Sequence, residues 1–111
     1  MNISQVVIDD TVVLRLTGKL DGSAVETLSN QVKEAIWSRH SAILINLQGV
    51  EFVDSTGLGL LVFLFRQAKE QNTDFAICGL SAQALMVFEI TRMTRIFVVH
   101  PNESAALSVS A

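Results

Sequence analysis

The chain has 111 residues, half of them apolar, and a net charge of -3 at pH 7. That length fits a single domain, 1–111, with a continuous core that needs no metal or disulfide staple. Its eight Lys and Arg residues are scattered, which excludes the basic footprint of a nucleic-acid binder, and its single cysteine excludes an internal disulfide and an all-cysteine metal site.

Met1-Asn2-Ile3-Ser4-Gln5 has neither a basic segment nor an apolar one, so no export signal is expected. Val6-Val7-Ile8 and Thr11 to Leu16 are β-branched runs around Asp9-Asp10 and predict a hairpin. Thr17 to Gly22 breaks the pattern. Asp21 or Ser23 then caps a helix with Ala24, Leu28, Val32, Ala35 and Ile36 on its apolar side, ending near Trp37 or Arg39. Ala42 to Leu47 is a continuous apolar run, suited to a strand buried on both faces.

Val50 to Val53 leads into a second helix start at Asp54-Ser55-Thr56-Gly57, and that helix runs to about Gln71. Leu60, Phe63 and Leu64 make it apolar nearly all round. Such a helix either packs on both sides, with the terminal helix as the expected neighbour, or presents an apolar contact patch. Its apolar run, Leu58 to Phe65, is far shorter than the roughly 20 residues of a membrane span. Phe75 to Cys78 is a short strand. Ser81 caps a third helix, Ala82 to Thr91, with Leu85, Val87, Phe88 and Ile90 as apolar positions. Ile96 to Val99 is the last strand. Pro101 opens a terminal helix with Ala106, Leu107 and Val109 on one face. The order β-β-α-β-α-β-α-β-α predicts an α/β fold with a mixed, mostly parallel sheet and about four helices. A soluble cytoplasmic protein is expected.

One segment carries candidate chemistry. Asp54, Ser55 and Thr56 sit where a strand gives way to a helix, beside backbone N–H groups that lack intrahelical partners. Asp54 or Ser55 can cap that helix, and the dipole there favours negative charge. A phosphate on Ser55 would be partly compensated by both, and opposed by Asp54. Gly57 and Gly59 lack a Cβ, so another surface can approach. The same residues also read as an ordinary capped helix start. Two glycines at this spacing without a lysine match neither a nucleotide phosphate loop nor a dinucleotide fingerprint.

The segment Asn46 to Gly59 resembles the signature of STAS domains, and more narrowly of their anti-sigma factor antagonist branch. Leu16-Thr17-Gly18-Lys19-Leu20-Asp21, Cys78-Gly79-Leu80-Ser81 and Phe88 to Phe97 extend the resemblance in order along the chain. It implies a protein that, unphosphorylated, binds and sequesters an anti-sigma factor. That partner is also a serine kinase of the histidine-kinase-like ATPase type, and its capture releases a sigma factor. The kinase would phosphorylate Ser55, with Thr56 as secondary acceptor, and abolish binding; a serine phosphatase would reverse this. Asp54 would position the hydroxyl, and Asp21, Asp54, Ser55, Thr56, Gly57, Leu58 and Gly59 would form the partner face. No cofactor, metal, nucleic acid or membrane is implied. The chain departs from the family at Gly22, where a larger polar residue is expected, and at Arg92, where a glycine is common.

Cys78 reads as a small buried residue. His40 reads as a solvated loop residue, His100 as a strand end, and Trp37 as packed on its helix rim or as a contact residue. Met86 and Met93 read as packing, Arg92 and Arg95 as solvated charge. A competing role in the same fold is a structural STAS subunit of a lipid-transport or stress-sensing complex. An enzyme using Ser55 as nucleophile would need a base in reach, and no Gly-x-Ser-x-Gly elbow is present.

Overall fold

The computed structural model describes residues 1–109, with side chains through Ser108. A five-stranded sheet runs β1 (Asn2–Ile8), β2 (Thr11–Leu20), β3 (Ala42–Val53), β4 (Asp74–Cys78) and β5 (Val98–His100), in that spatial order. β1 pairs antiparallel with β2, and every other neighbouring pair is parallel. The helices are α1 (Val25–Trp37), α2 (Ser55–Glu70), α3 (Ala82–Ile90) and α4 (Glu103–Val109), and 3-10 turns precede α1 (Gly22–Ala24) and β5 (Met93–Arg95). The expected order and mixed sheet are both present.

The Asp9-Asp10 turn has φ of 48° and 68°. Two left-handed residues give the turn that matches strand twist, and Asp tolerates that conformation. β1 is longer than expected, because Asn2 to Gln5 also pair with β2. α1 and α2 both give way to a left-handed residue, Arg39 at φ 59° and Asn72 at φ 57°.

The helices divide between the two faces of the sheet. Leu28, Val32 and Ala35 of α1 and Leu58, Leu61 and Leu64 of α2 share one core with Leu14, Ile45 and Ile77. Ala106 of α4 packs on the opposite face with Val13, Leu44 and Cys78. The β2 and β3 interiors are therefore apolar on both sides, as the continuous runs required. The side chain of Val109, expected on the inner face of α4, lies outside the described residues.

Several expectations change. α2 does not pack against the terminal helix; it lies beside α1, on the other side of the sheet from α4. Leu60 and Leu64 are buried, while Phe63 is 53% exposed. β3 continues through Gln48-Gly49 to Val53, with irregular register against β2 near Thr17 and Gly18. A Cβ at Gly49 would meet the Leu16 carbonyl oxygen at 2.8 Å, so that irregular pairing brings the strands too close for a side chain. β5 begins at Val98, because Ile96 and Phe97 N–H donate to the Met93 carbonyl in the preceding turn. In α3 only Phe88 is buried, 6.1 Å from the Phe97 ring; Leu85, Met86, Val87 and Ile90 are exposed. Trp37 does not pack on its helix rim and is 83% exposed.

Arg92 has φ 61°, in the left-handed region. The glycine that the resemblance led one to expect there has a physical reason: the backbone adopts a conformation that only glycine enters without strain.

Candidate functional site

β2 and β3 run on together past the end of β4, which pairs with β3 only as far as Asn46↔Cys78. Their last pair, Leu20↔Val53, sets the next residues, Asp21 and Asp54, side by side at one end of the molecule. Each aspartate caps the helical segment that follows it.

Asp54 is the N-cap of α2. Its Oδ1 accepts from Gly57 N–H at 2.8 Å, and its carbonyl accepts from Leu58 N–H at 2.9 Å. Its own N–H donates to the Leu20 carbonyl at 3.3 Å, tying the cap to β2. In the free chain Asp54, expected to position the serine hydroxyl, has its carboxylate engaged in capping α2. Its side chain folds onto the third helical residue, and among the described residues no hydrogen bond joins it to Ser55.

Asp21 caps the 3-10 turn. Its Oδ1 accepts from Ser23 N–H at 2.9 Å and from the Ser23 hydroxyl at 2.5 Å. The hydroxyl bond, then the N–H bond, holds the Asp21 carboxyl below the usual carboxylate range. Asp21 is thus anionic at neutral pH.

Gly57 locks the two loops together. A Cβ there would lie 2.0 Å from the Leu20 carbonyl oxygen. The close approach that its missing side chain permits is made by the chain's own β2, not left free for another surface. Leu58, at 8% exposed, is also turned inward. Of the segment proposed as a partner face, Ser55, Thr56 and Gly59 are exposed, Asp21 and Asp54 are half-buried, and Gly57 and Leu58 support them from below. A Cβ at Gly22 would be 3.9 Å from Thr56 Cγ2, so the Asp21 loop borders the hydroxyl pair. Nothing in the sequence joined these loops beyond the resemblance; the long parallel pairing of β2 with β3 does so.

Ser55 and Thr56 occupy the first two helical positions, where N–H groups have no intrahelical acceptor and the dipole is positive. Both residues are exposed, so their hydroxyls stand at the surface where the helix start favours negative charge.

Other polar groups lie elsewhere. His40 precedes β3 and is separated from Ser55 by the length of that strand; its Nδ1 is 3.2 Å from the Ser38 hydroxyl. It lines, with Lys33, Trp37, Gln67 and Thr73, a groove of about 820 Å³ between the C-terminal ends of α1 and α2. Among the described residues no three His, Cys, Asp or Glu side chains are grouped to hold a metal ion, and no helix is long and apolar enough to cross a membrane. Cys78 is fully buried, and desolvation followed by the nearby Glu103 charge pushes its thiol up to about 11. Sequence reading missed the polar link that joins β2 and β3 to α4. Arg15 donates to both Glu103 oxygens at 2.8 and 2.9 Å, and Asn46 Nδ2 donates to Glu103 at 2.6 Å.

A mixed five-stranded sheet with helices on both faces, and a capped helix start presenting serine and threonine, defines an α/β module of one domain. Residues 2–106 match the family model described as STAS domain, and the chain belongs to that family. It is 26% identical over 97 residues to an anti-sigma F factor antagonist of Paenibacillus polymyxa, covering 86% of this chain and 83% of that protein. The structure of the anti-sigma factor antagonist SpoIIAA in its unphosphorylated form superposes with a TM-score of 0.78 at 25% identity, covering 98% of this chain and 96% of that one. The Bacillus cell fate determinant SpoIIAA in the phosphorylated form gives 0.74 at 25% identity, covering 99% of this chain and all of that one.

Proposed function

We propose that this chain is an anti-sigma factor antagonist gated by phosphorylation of Ser55. Unphosphorylated, it binds and sequesters a cytoplasmic anti-sigma factor that is also a serine kinase of the histidine-kinase-like ATPase type, and so frees a sigma factor. The face comprises Asp21, Asp54, Ser55, Thr56 and Gly59, set by Gly57 and Leu58 beneath. The kinase phosphorylates Ser55, and secondarily Thr56, and a serine phosphatase restores the binding form. The chain acts by binding and not by catalysis.

The observation that carries this reading is the exposed Ser55 hydroxyl on the first turn of α2, bordered by two capping aspartates. A phosphate there adds about -1.5 to -2 charges at pH 7. The core lies beneath Gly57 and Leu58, so the fold has no reason to rearrange. At a closed interface the same charge would lose water beside Asp54 and Asp21, and an unpaired buried charge costs several kcal/mol. The names of the similar proteins, and the existence of a SpoIIAA structure in phosphorylated form, support the assignment.

The test is incubation with the candidate kinase and ATP, followed by mass spectrometry of the peptides. A single phosphate on Ser55, lost in Ser55→Ala and then appearing weakly on Thr56, is the expected result. Phosphate confined to any residue outside this turn would sink the proposal.

A further inference from the structure

The two edges of the sheet are treated differently. β5 has three residues and ends against Pro101, which blunts it. β1 has seven residues, Asn2–Ile8, with no charge, proline or glycine, and its register with β2 is unbroken. Natural edge strands of that length are normally protected by one of these devices.

The register shows which backbone groups are free. The two-residue turn closes on Ile8↔Thr11 as a hydrogen-bonded pair, and bonded and non-bonded pairs alternate from there. Val6, Ser4 and Asn2 therefore direct their N–H and C=O groups at β2. Ile3, Gln5 and Val7 direct theirs outward, away from the sheet.

We propose that β1 pairs antiparallel with β1 of a second copy of this chain, about a two-fold axis at Gln5. In that register Gln5 faces Gln5, and Ile3 faces Val7 of the other copy. All three outward-facing residues then fall in hydrogen-bonded positions, each pair exchanging two bonds. Pairing of this kind is isologous, so the same surface serves both copies. Ile3, Gln5 and Val7 share one face of the strand. Ile3 already packs on the larger core, while Val7 is 48% exposed, and the second copy's Ile3 covers it.

Charge fits the same register. The antiparallel arrangement holds the two Asp9-Asp10 turns at opposite ends of the paired strands. Each acidic turn then lies beyond the far end of the other copy's β1, where Lys19 stands beside Asp21, so the two acidic turns do not face and repel one another. The Ser55 loop follows β3, two strands in from this edge, and is left open in the dimer.

Size-exclusion chromatography with light scattering on the full chain tests the pairing. The expected mass rises with concentration toward twice the 12.1 kDa of one chain. Gln5→Lys places two ammonium groups on the axis, and Gln5→Pro removes only an outward N–H; both return the mass to one chain with an unchanged circular dichroism spectrum. Gln5→Cys tests the register independently. Paired Cα atoms there are about 5.5 Å apart, within disulfide range. Mild oxidation then gives a cross-linked dimer, Ser4→Cys does not, and buried Cys78 stays out of the reaction. If either edge variant unfolds, the cysteine pair decides. A chain monomeric at every concentration, a dimer that survives both edge variants, or equal cross-linking at positions 4 and 5 overturns the proposal.

Discussion

Gly57→Ala should destabilise the protein although it adds one methyl group and removes a helical glycine. The new Cβ would sit 2.0 Å from the Leu20 carbonyl oxygen, 2.8 Å from its carbon and 3.0 Å from its Cγ. Relief requires the start of α2 to move off β2 by more than an ångström. That movement strains the Asp54 N–H bond to the same Leu20 oxygen and the cap from Asp54 to Gly57 N–H. Loss of one hydrogen bond costs about 1 kcal/mol, a weakened cap about another, and overpacking about 1–3 kcal/mol. Better helix propensity returns about 1 kcal/mol. The net is a loss of about 2–4 kcal/mol, read as a lowered urea midpoint at unchanged slope. Gly59→Ala is the matched control. It lies two residues on in the same helix, with no atom within 4 Å of the added methyl, and should gain up to about 1 kcal/mol. If the two alanine variants moved the midpoint in the same direction by similar amounts, the role given to the Gly57–Leu20 contact would be wrong.

Arg92→Gly should stabilise, because it relieves a left-handed non-glycine residue at φ 61°. The relief of about 1–2 kcal/mol is partly offset by added unfolded-state freedom, leaving about 0.5–1 kcal/mol, read as a rise in melting temperature. Glu103 is held below the ordinary glutamate range, first by its hydrogen bond from Arg15 and further by Asn46 and the Arg15 charge, against desolvation. Its contribution to stability is present above the unfolded-state pKa of about 4.3 and is lost as pH falls through the lower folded value. Denaturation melts between neutral pH and the acid limb should therefore show a shallower loss in Glu103→Gln than in the parent. Trp37, being 83% exposed, should show water-like fluorescence that acrylamide quenches almost fully, and Trp37→Ala should shift stability by less than about 0.5 kcal/mol.

Features governed by neighbours in the chain were legible in the sequence. The Asp9-Asp10 hairpin, the Asp54 and Ser81 caps and the alternation of strands with helices all follow from local residue chemistry, and the structure contains each. Features set by the choice of face were not. In α3, Leu85, Met86, Val87, Phe88 and Ile90 give no polar side from which to read a buried stripe, so the pattern does not reveal that only Phe88 turns inward. The placing of α4 opposite α2 depends on which side of the sheet each crossover takes. The apolar run Ala42 to Leu47 reads as the strand, which in fact continues through a close approach at Gly49 to Val53. The serine-bearing turn was legible as a helix start, and the resemblance supplied its proposed role. The second loop, from Asp21 to Ser23, is brought beside the Ser55 turn only through pairing along the full length of β2 and β3.

The most direct measurement compares the anti-sigma partner's affinity for unmodified protein with that for protein stoichiometrically phosphorylated on Ser55, by titration calorimetry at fixed salt. A loss of about a hundredfold or more, roughly 3 kcal/mol, with both forms equally folded, is the outcome expected from a dianion placed in a closed interface. Equal affinity for the two forms would contradict the proposed switch.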